Sequence, residues 1–313
     1  MYSPSLNILV DEDSENFLIL VEDLLEKSIK SLKYLGIFDL TKLRYFPTQL
    51  LNLTFLEELV IESCPHLTYF FQDTEAAVFN RLESLKELHI TSCWELRCLP
   101  KGLLQPTLET LVLKYCSLLR MTDPDELRSI KSLQNLNIQN CPGLTSWWGE
   151  GLFCLGSLRY LGIGLFLTEH EPFLWPSTSA DASTSGDDAN VEFVEQFPFI
   201  SLECLYLLGF GNKHLPDQLQ HLTALKKLQI SNFNHLEALP EWLGNLSSLE
   251  SLKLQTCPKL TSLPSVEAIQ RLTNLQRLDV LECPLLKKRC ESGEERHKIV
   301  HIPYKKYIAY RIP

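Results

Sequence analysis

One spacing recurs through most of this chain and decides what it can fold into: L-x-x-L-x-L-x-x-C/N-x-x-L, returning at intervals of roughly 23 to 29 residues. Copies open at Leu32 (Leu35, Ile37, Leu40, Leu43), Leu56 (Leu59, Ile61, Cys64, Leu67), Leu85 (Leu88, Ile90, Cys93, Leu96), Leu108 (Leu111, Leu113, Cys116, Leu119) and Leu133 (Leu136, Ile138, Cys141, Leu144). A further copy opens at Leu158 (Leu161, Ile163), and after an interruption others follow at Leu202 (Leu205, Leu207, Phe210), Leu225 (Leu228, Ile230, Phe233, Leu236), Leu249 (Leu252, Leu254, Cys257, Leu260) and Leu275 (Leu278, Val280, Cys283, Leu286). The L-x-L core alternates with period two, so each copy predicts a short strand with one apolar face. Such a strand has nowhere to bury that face alone. Full burial of each Leu or Ile is worth roughly 1.5–3 kcal/mol, and it requires a copy stacked on either side.

The position three after the last strand aliphatic is Cys64, Cys93, Cys116, Cys141, Cys257 and Cys283. Six of the ten cysteines therefore share one turn slot, where a thiol serves as a small hydrophobe with a weak donor. One thiol per repeat, with no C-x-x-C pair, speaks against metal or disulfide chemistry. Return segments carry an aromatic or Leu before Pro (Phe46-Pro47, Leu99-Pro100, Leu215-Pro216, Leu239-Pro240, Leu263-Pro264), and proline opens irregular or short helical stretches. The fold class these features predict is α/β: a leucine-rich-repeat solenoid, or horseshoe, with a parallel concave sheet and an irregular, short-helical convex side.

Three segments break the period. Residues 1–30 read as an N-terminal ramp, partial repeat or cap, with Phe17, Leu18, Ile19, Leu20, Val21, Leu24 and Leu25 suited to a helical ramp. The repeat array is expected over 31–286, with an insertion at 168–196 whose run 177–190 lacks large apolar side chains and predicts a loop. Residues 287–313 read as a basic tail: from Leu285 onward eight Lys and Arg stand against three Glu, in a chain of net charge -10. That asymmetry suggests electrostatic docking, within the chain or with a partner. The abrupt opening of the array suggests a piece of a longer protein.

The remaining chemistry is sparse. The acidic balance disfavours duplex nucleic acid as a partner. No apolar run approaches the roughly 18 residues of a membrane span, and residues 1–30 lack the features of a secretory signal, so cytoplasm or nucleus is the expected compartment. There is no G-x-S-x-G or H-E-x-x-H, and His297 with His301 near Cys290 reads as a packed tail rather than a metal site. No cofactor, metal or catalytic residue is expected. Asn52-Leu53-Thr54 and Asn245-Leu246-Ser247 match the glycosylation sequon, but both fall in one repeat slot that accounts for them.

The ending reads Cys283-Pro284, Leu286, Arg289-Cys290, Gly293-Glu294-Glu295, then Lys298-Ile299-Val300-His301-Ile302-Pro303. With the cysteine slot and the Leu-Pro ramps, it resembles the repeat region of plant nucleotide-binding leucine-rich-repeat disease-resistance proteins, in which C-P-x-L-x-x-R-C leads to K-I-x-H-I-P. The resemblance spans nearly the whole chain. It implies a non-enzymatic module that recognises a protein: a pathogen effector, a modified host protein, or the parent receptor's own nucleotide-binding domain held in check. Nothing here matches G-x-x-x-x-G-K-[ST], so nucleotide binding is not carried over to these residues. Two other readings stand beside it, a substrate adaptor of an F-box-type ubiquitin ligase and a secreted repeat inhibitor or receptor ectodomain.

Positions between and just after the inward aliphatics should line the concave face. The candidate protein-binding residues are Phe38, Asp39, Glu62, His89, Lys114, Tyr115, Asn137, Gln139, Tyr206, Gln229, Lys253 and Asp279. Phe38, Tyr115 and Tyr206 are the preferred anchors, because aromatics dominate binding hot spots.

Overall fold

A computed structural model describes residues 5–9, 31–71, 82–120, 126–144, 152, 154–164, 199–209 and 213–308. The chain divides into two compact units, residues 1–147 with 160–167, and residues 148–159 with 168–313. In the first unit the strands are β1 (Ser5–Leu9), β2 (Tyr34–Phe38), β3 (Glu58–Glu62), β4 (Glu87–Thr91), β5 (Thr110–Lys114), β6 (Asn135–Gln139) and β7 (Tyr160–Gly164). Each pairs in parallel with the next. The second unit holds β8 (Cys204–Leu208), β9 (Lys227–Ser231), β10 (Ser251–Gln255), β11 (Arg277–Leu281) and β12 (Tyr304–Ile308), again parallel and in sequence order. The period-two pattern thus produces the predicted repeat sheet in both units.

Register is set by the inward aliphatics. Leu35, Leu59, Leu88, Leu111, Leu136 and Leu161 face one another across β2 to β7, as do Ile37, Ile61, Ile90, Leu113, Ile138 and Ile163. All are buried, and the ladder continues through Leu205, Leu228, Leu252 and Leu278 in the second unit. A one-residue slip would turn every one of them to solvent, so the register is strongly specified.

The six slot cysteines are fully or almost fully buried. Their thiols lie against carbonyls of the turn: Cys116 donates to Lys114 O at 3.3 Å, Cys141 to Gln139 O at 3.4 Å, Cys257 to Gln255 O at 3.4 Å and Cys283 to Leu281 O at 3.3 Å. Hydrogen bonding with Cys64, and then burial, pushes the Cys93 thiol up; Cys141 and burial do the same for Cys116, and Cys257 and burial for Cys283. These three thiols stay protonated at neutral pH and act as packing groups.

Proline shapes the return segments as expected. Pro47, Pro216 and Pro240 sit in extended backbone immediately before 3-10 turns at Thr48–Asn52, Asp217–His221 and Glu241–Asn245. Short helices α1 (Glu126–Ser129) and α2 (Val266–Arg271) fill the same role elsewhere. Ser265 caps α2 by accepting from Ala268 N at 3.2 Å, and Glu241 accepts from Ser265 N at 2.8 Å, tying one return segment to the next.

The segments read as a ramp, partial repeat or cap and as a basic tail each contribute a strand to the sheet. Ser5–Leu9 is a strand paired with β2, Leu6 opposite Leu35, so the stack begins before the first clear repeat. Residues 10–30, where a helical ramp was expected, and the insertion 168–196 lie outside the described residues. A helix runs across the boundary expected at 287. Helix α3 (Pro284–Ser292) begins with proline in its first turn and ends at Gly293 with φ 102°, and a 3-10 turn (Arg296–Ile299) leads back to β12. The alternation there is disguised, because Lys305 occupies the slot filled by Leu278 on β11. Its ammonium donates to Ile299 O at 3.2 Å, Val300 O at 3.4 Å and Ile302 O at 2.5 Å.

Three of the eight cations of the basic tail pair with its own glutamates. Arg289 pairs with Glu294 at 3.2 Å, Lys287 with Glu291 at 3.7 Å, and Lys298 with Glu295 at 2.9 Å. Glu295 is 2% exposed and also accepts from Leu263 N at 3.0 Å, while Lys298 donates to Leu263 O at 3.2 Å. The segment thus packs back on the return segment at Leu263, and Lys298 is one of the cations that hold it there.

Candidate recognition surface

In β3, β4, β5 and β10 the second and fourth side chains are buried and the first, third and fifth point to the opposite face. In the first unit the third-position row is Gly36, Val60, His89, Val112, Asn137 and Gly162; in the second it is Tyr206, Gln229, Lys253, Asp279 and Lys306. The candidate residues fall on this outward face or on the turn that follows. Phe38, His89, Lys114, Asn137, Tyr206, Gln229 and Lys253 are half-buried, and Asp39, Glu62 and Tyr115 are exposed.

Two candidates are not free as expected. Asp279 is 8% exposed and accepts from Arg277 Nε at 2.8 Å; Gln139 is 7% exposed and donates to Asn137 Oδ1 at 2.8 Å. Neighbouring polar side chains on the face bond to each other before any partner arrives, so these two act as braces of the sheet. Gln229 likewise donates to Ser231 Oγ at 3.0 Å. Lys114, Tyr115, Tyr206 and Lys253 have no such partner among the described residues.

The residue after each strand has a property that spacing alone does not reveal. Asp39, Ser63, Ser92, Tyr115, Asn140, Asn232, Thr256 and Glu282 all have φ between 52° and 60°. Each turns the chain into the Cys, Leu or Phe slot while its N–H continues the ladder, as in Ser92 N to Lys114 O at 2.9 Å and Tyr115 N to Gln139 O at 2.9 Å. Asn, Asp and Ser tolerate this left-handed region better than a bulky ring does. Tyr115 is 40% exposed there and meets no aromatic neighbour among the described residues. Replacing it with Asn is expected to raise stability by about 0.5–1 kcal/mol in urea unfolding. A loss instead would show that the ring contributes packing to the fold.

The first-position row escaped the sequence reading because only residues between and after the inward aliphatics were counted. The missed row includes Tyr34, Glu58, Glu87, Thr110 and Asn135 in the first unit, and Lys227 and Arg277 in the second. The five-residue strand length was the missing signal: it makes the residue before the first Leu point outward too. Among the described residues, Glu58, Glu87 and His89 bring a carboxylate, a carboxylate and an imidazole atom within 4.8 Å of one another, a group the sequence did not suggest. Burial, and then the charge of Glu87, pushes the Glu58 carboxyl above its usual range.

Cys290, His297 and His301 do not form a comparable group; both histidines are exposed while Cys290 is buried. Cys290 does line a pocket of about 490 Å³ with Glu291, Arg296, Val300, Lys305 and Tyr307. Burial and then Glu295 push its thiol up to about 11, and burial and then Cys290 push the Tyr307 hydroxyl up to about 12. Both keep their protons at neutral pH, so the pocket offers no activated nucleophile. No helix among the described residues is long and apolar enough to cross a membrane.

Comparison with known proteins agrees with this arrangement. The family model described as R13L1/DRL21 leucine-rich repeats matches residues 173–257 and 211–283. TMV resistance protein N of Nicotiana glutinosa is 26% identical over 252 residues, covering 75% of this chain and 20% of that protein. The disease resistance-like protein DSC1 of Arabidopsis thaliana is 31% identical over 185 residues, covering 57% of this chain and 14% of that protein. The chain thus spans a fifth or less of these relatives. Among solved structures, the leucine-rich-repeat protein LIC12759 of Leptospira interrogans matches with a TM-score of 0.52 and 27% identity, over 88% of this chain and 60% of that one. The chain thus folds as a leucine-rich-repeat array, and its sequence is similar to segments of plant disease-resistance proteins.

Proposed function

We propose that the chain is the protein-recognition module of a plant immune receptor, acting in the cytoplasm or nucleus. It senses a pathogen effector or a modified host protein, holds a nucleotide-binding switch in check, or does both. The carrying observation is chemical. The fold buries its aliphatic ladder and pairs most flanking charges, yet leaves Lys114, Tyr115, Tyr206 and Lys253 without a side-chain partner among the described residues. Rigid strands that display variable polar and aromatic side chains suit recognition of a protein surface. The names of the relatives, resistance proteins of which this chain matches a small part, supply the defence setting.

A photo-crosslinking amino acid placed at Lys114 or Tyr206 in plant cells should yield a defined protein adduct whose amount changes on pathogen challenge. The exposed positions Lys131 and Glu237, away from the outward faces, should not. Equal adducts from both sets, or none from the outward set, would overturn the reading.

A further inference from the structure

In the first unit the fold leaves three large apolar side chains to solvent on the turns that follow β4 and β5: Trp94 at 56% exposure, Tyr115 at 40% and Leu118 at 46%. These turns, Ser92 to Arg97 and Tyr115 to Arg120, stack residue on residue. Ser92 N donates to Lys114 O at 2.9 Å at one end, and Arg120 N donates to Arg97 O at 2.8 Å at the other. Trp94 therefore lies next to Ser117, which is too short to cover an indole. Leu118 lies between Glu95 and Gly143, and a Cβ added at Gly143 would come within 2.3 Å of Leu119 O, so the coil after β6 brings no side chain to that place. A single exposed apolar residue is ordinary, whereas adjoining ones mark a contact surface. Cations frame this one. Arg97 and Arg120 are exposed one coil apart, Lys114 ends β5, and none of the three has an ion pair among the described residues. Glu95, the acid on these turns, is committed to His66 at 2.9 Å.

We propose that this turn edge binds an acidic amphipathic helix of a partner protein, its apolar stripe on Trp94, Tyr115 and Leu118 and its carboxylates at Arg97 and Arg120. This rests on the recognition reading above, extends the surface beyond Tyr115 and names the chemistry of the partner. Aromatic and arginine side chains standing together are the usual anchors of a protein interface. The argument for a helix is one of spacing. Coils stacked in a ladder are ~4.8 Å apart, and residues three apart on a helix rise ~4.5 Å, so successive helical turns meet successive coils. Same-face residues of an extended segment are ~6.6 Å apart and fall out of step. The apolar and basic groups also lie side by side across the array, which matches an apolar stripe with an acidic flank.

The probe is a labelled synthetic peptide, Ala-Gln-Leu-Glu-Ala-Leu-Leu-Glu-Ala-Leu-Glu-Ala-Gln-Ala, titrated against the full chain by fluorescence anisotropy beside a version with lysine for every glutamate. The chain's net charge of -10 favours the lysine peptide, so a preference for the acidic one reports the local patch. The wild type should bind the acidic peptide at least about threefold more tightly than the lysine one. Trp94→Ala with Leu118→Ala should weaken the acidic peptide by about tenfold, and Arg97→Gln with Arg120→Gln by about fivefold. Phe55→Ala with Lys131→Gln, an exposed ring and an exposed cation of the same unit away from these turns, should leave it unchanged. The lysine peptide probes the wild-type protein itself, so the outcome does not depend on how a variant folds. Equal or tighter binding of the lysine peptide would overturn the proposal, as would equal weakening by the Phe55, Lys131 control. So would a concentration-dependent self-association that Trp94→Ala abolishes, which would give the patch to a second copy of the chain. If partner adducts still form at Lys114 or Tyr206 while the peptides fail to discriminate, recognition stands and the helix proposal falls.

Discussion

Glu295→Ala is expected to destabilise the second unit by about 3–5 kcal/mol, the cost of breaking a buried charge network by removing one partner. The carboxylate, 2% exposed, collects the Lys298 ammonium at 2.9 Å, the Arg289 guanidinium at 3.6 Å and the Leu263 amide at 3.0 Å. Its removal strands the largely buried Lys298 ammonium and the Leu263 amide, while Arg289 keeps Glu294 at 3.2 Å. Because the network ties α3 and the following 3-10 turn to the return segment before α2, the loss should appear first as rapid hydrogen exchange from α3 through β12. Urea unfolding followed by fluorescence gives the total. A loss below about 1 kcal/mol would mean that Lys298 and Arg289 reach solvent easily and that the cap does not depend on this acid.

Leu111→Ala is the second large effect, expected at about 2–5 kcal/mol. Leu111 is fully buried in the middle of the first unit, with Leu88 and Leu136 on either side in register. Both neighbours are held by their own strands, so the space left by the missing carbons closes poorly. In a stacked array each repeat is stable largely through its neighbours, so the loss should lower the midpoint of the whole unit's unfolding in urea. Fraying confined to β5, with no shift of that midpoint, would show that the repeats are less coupled than the shared ladder implies.

The apolar skeleton was legible in the sequence because it is written with period two inside a longer period, and each Leu or Ile has one place to go. The cysteine slot and the Leu-Pro turns were legible for the same reason: a residue type repeated at one offset has one structural cause. What the sequence concealed falls where the residue type disagrees with its place. Lys305 stands in a leucine slot and hides β12, since its charge is served by carbonyls that the pattern does not show. Glu295 reads as half of an exposed acidic pair, yet it is buried because Leu263 and Lys298, distant in sequence, converge on it.

The candidate surface was half legible. Alternation gave the third and fifth positions, where Lys114, Tyr206 and Lys253 stand, with Tyr115 on the turn that follows β5. It did not reveal that Gln139 and Asp279 would be taken up by neighbours two residues away on the same strand, because side-chain pairing on one face depends on identity as well as direction. Nor did it give the left-handed turn that aims Tyr115, since Asp39, Ser63, Asn140 and Tyr115 share a conformation without sharing a chemistry.

The central claim is that the outward sheet faces are the recognition surface. Its most direct test is the affinity of a crosslinked partner for purified variants by titration calorimetry. Lys114→Ala with Tyr115→Asn, or Tyr206→Ala, should weaken binding by roughly tenfold or more, as loss of a hot-spot contact does. Lys131→Ala, on an exposed residue between α1 and β6, should leave it unchanged. Undiminished affinity in every outward-face variant, with a tenfold loss in Lys131→Ala, would contradict the account.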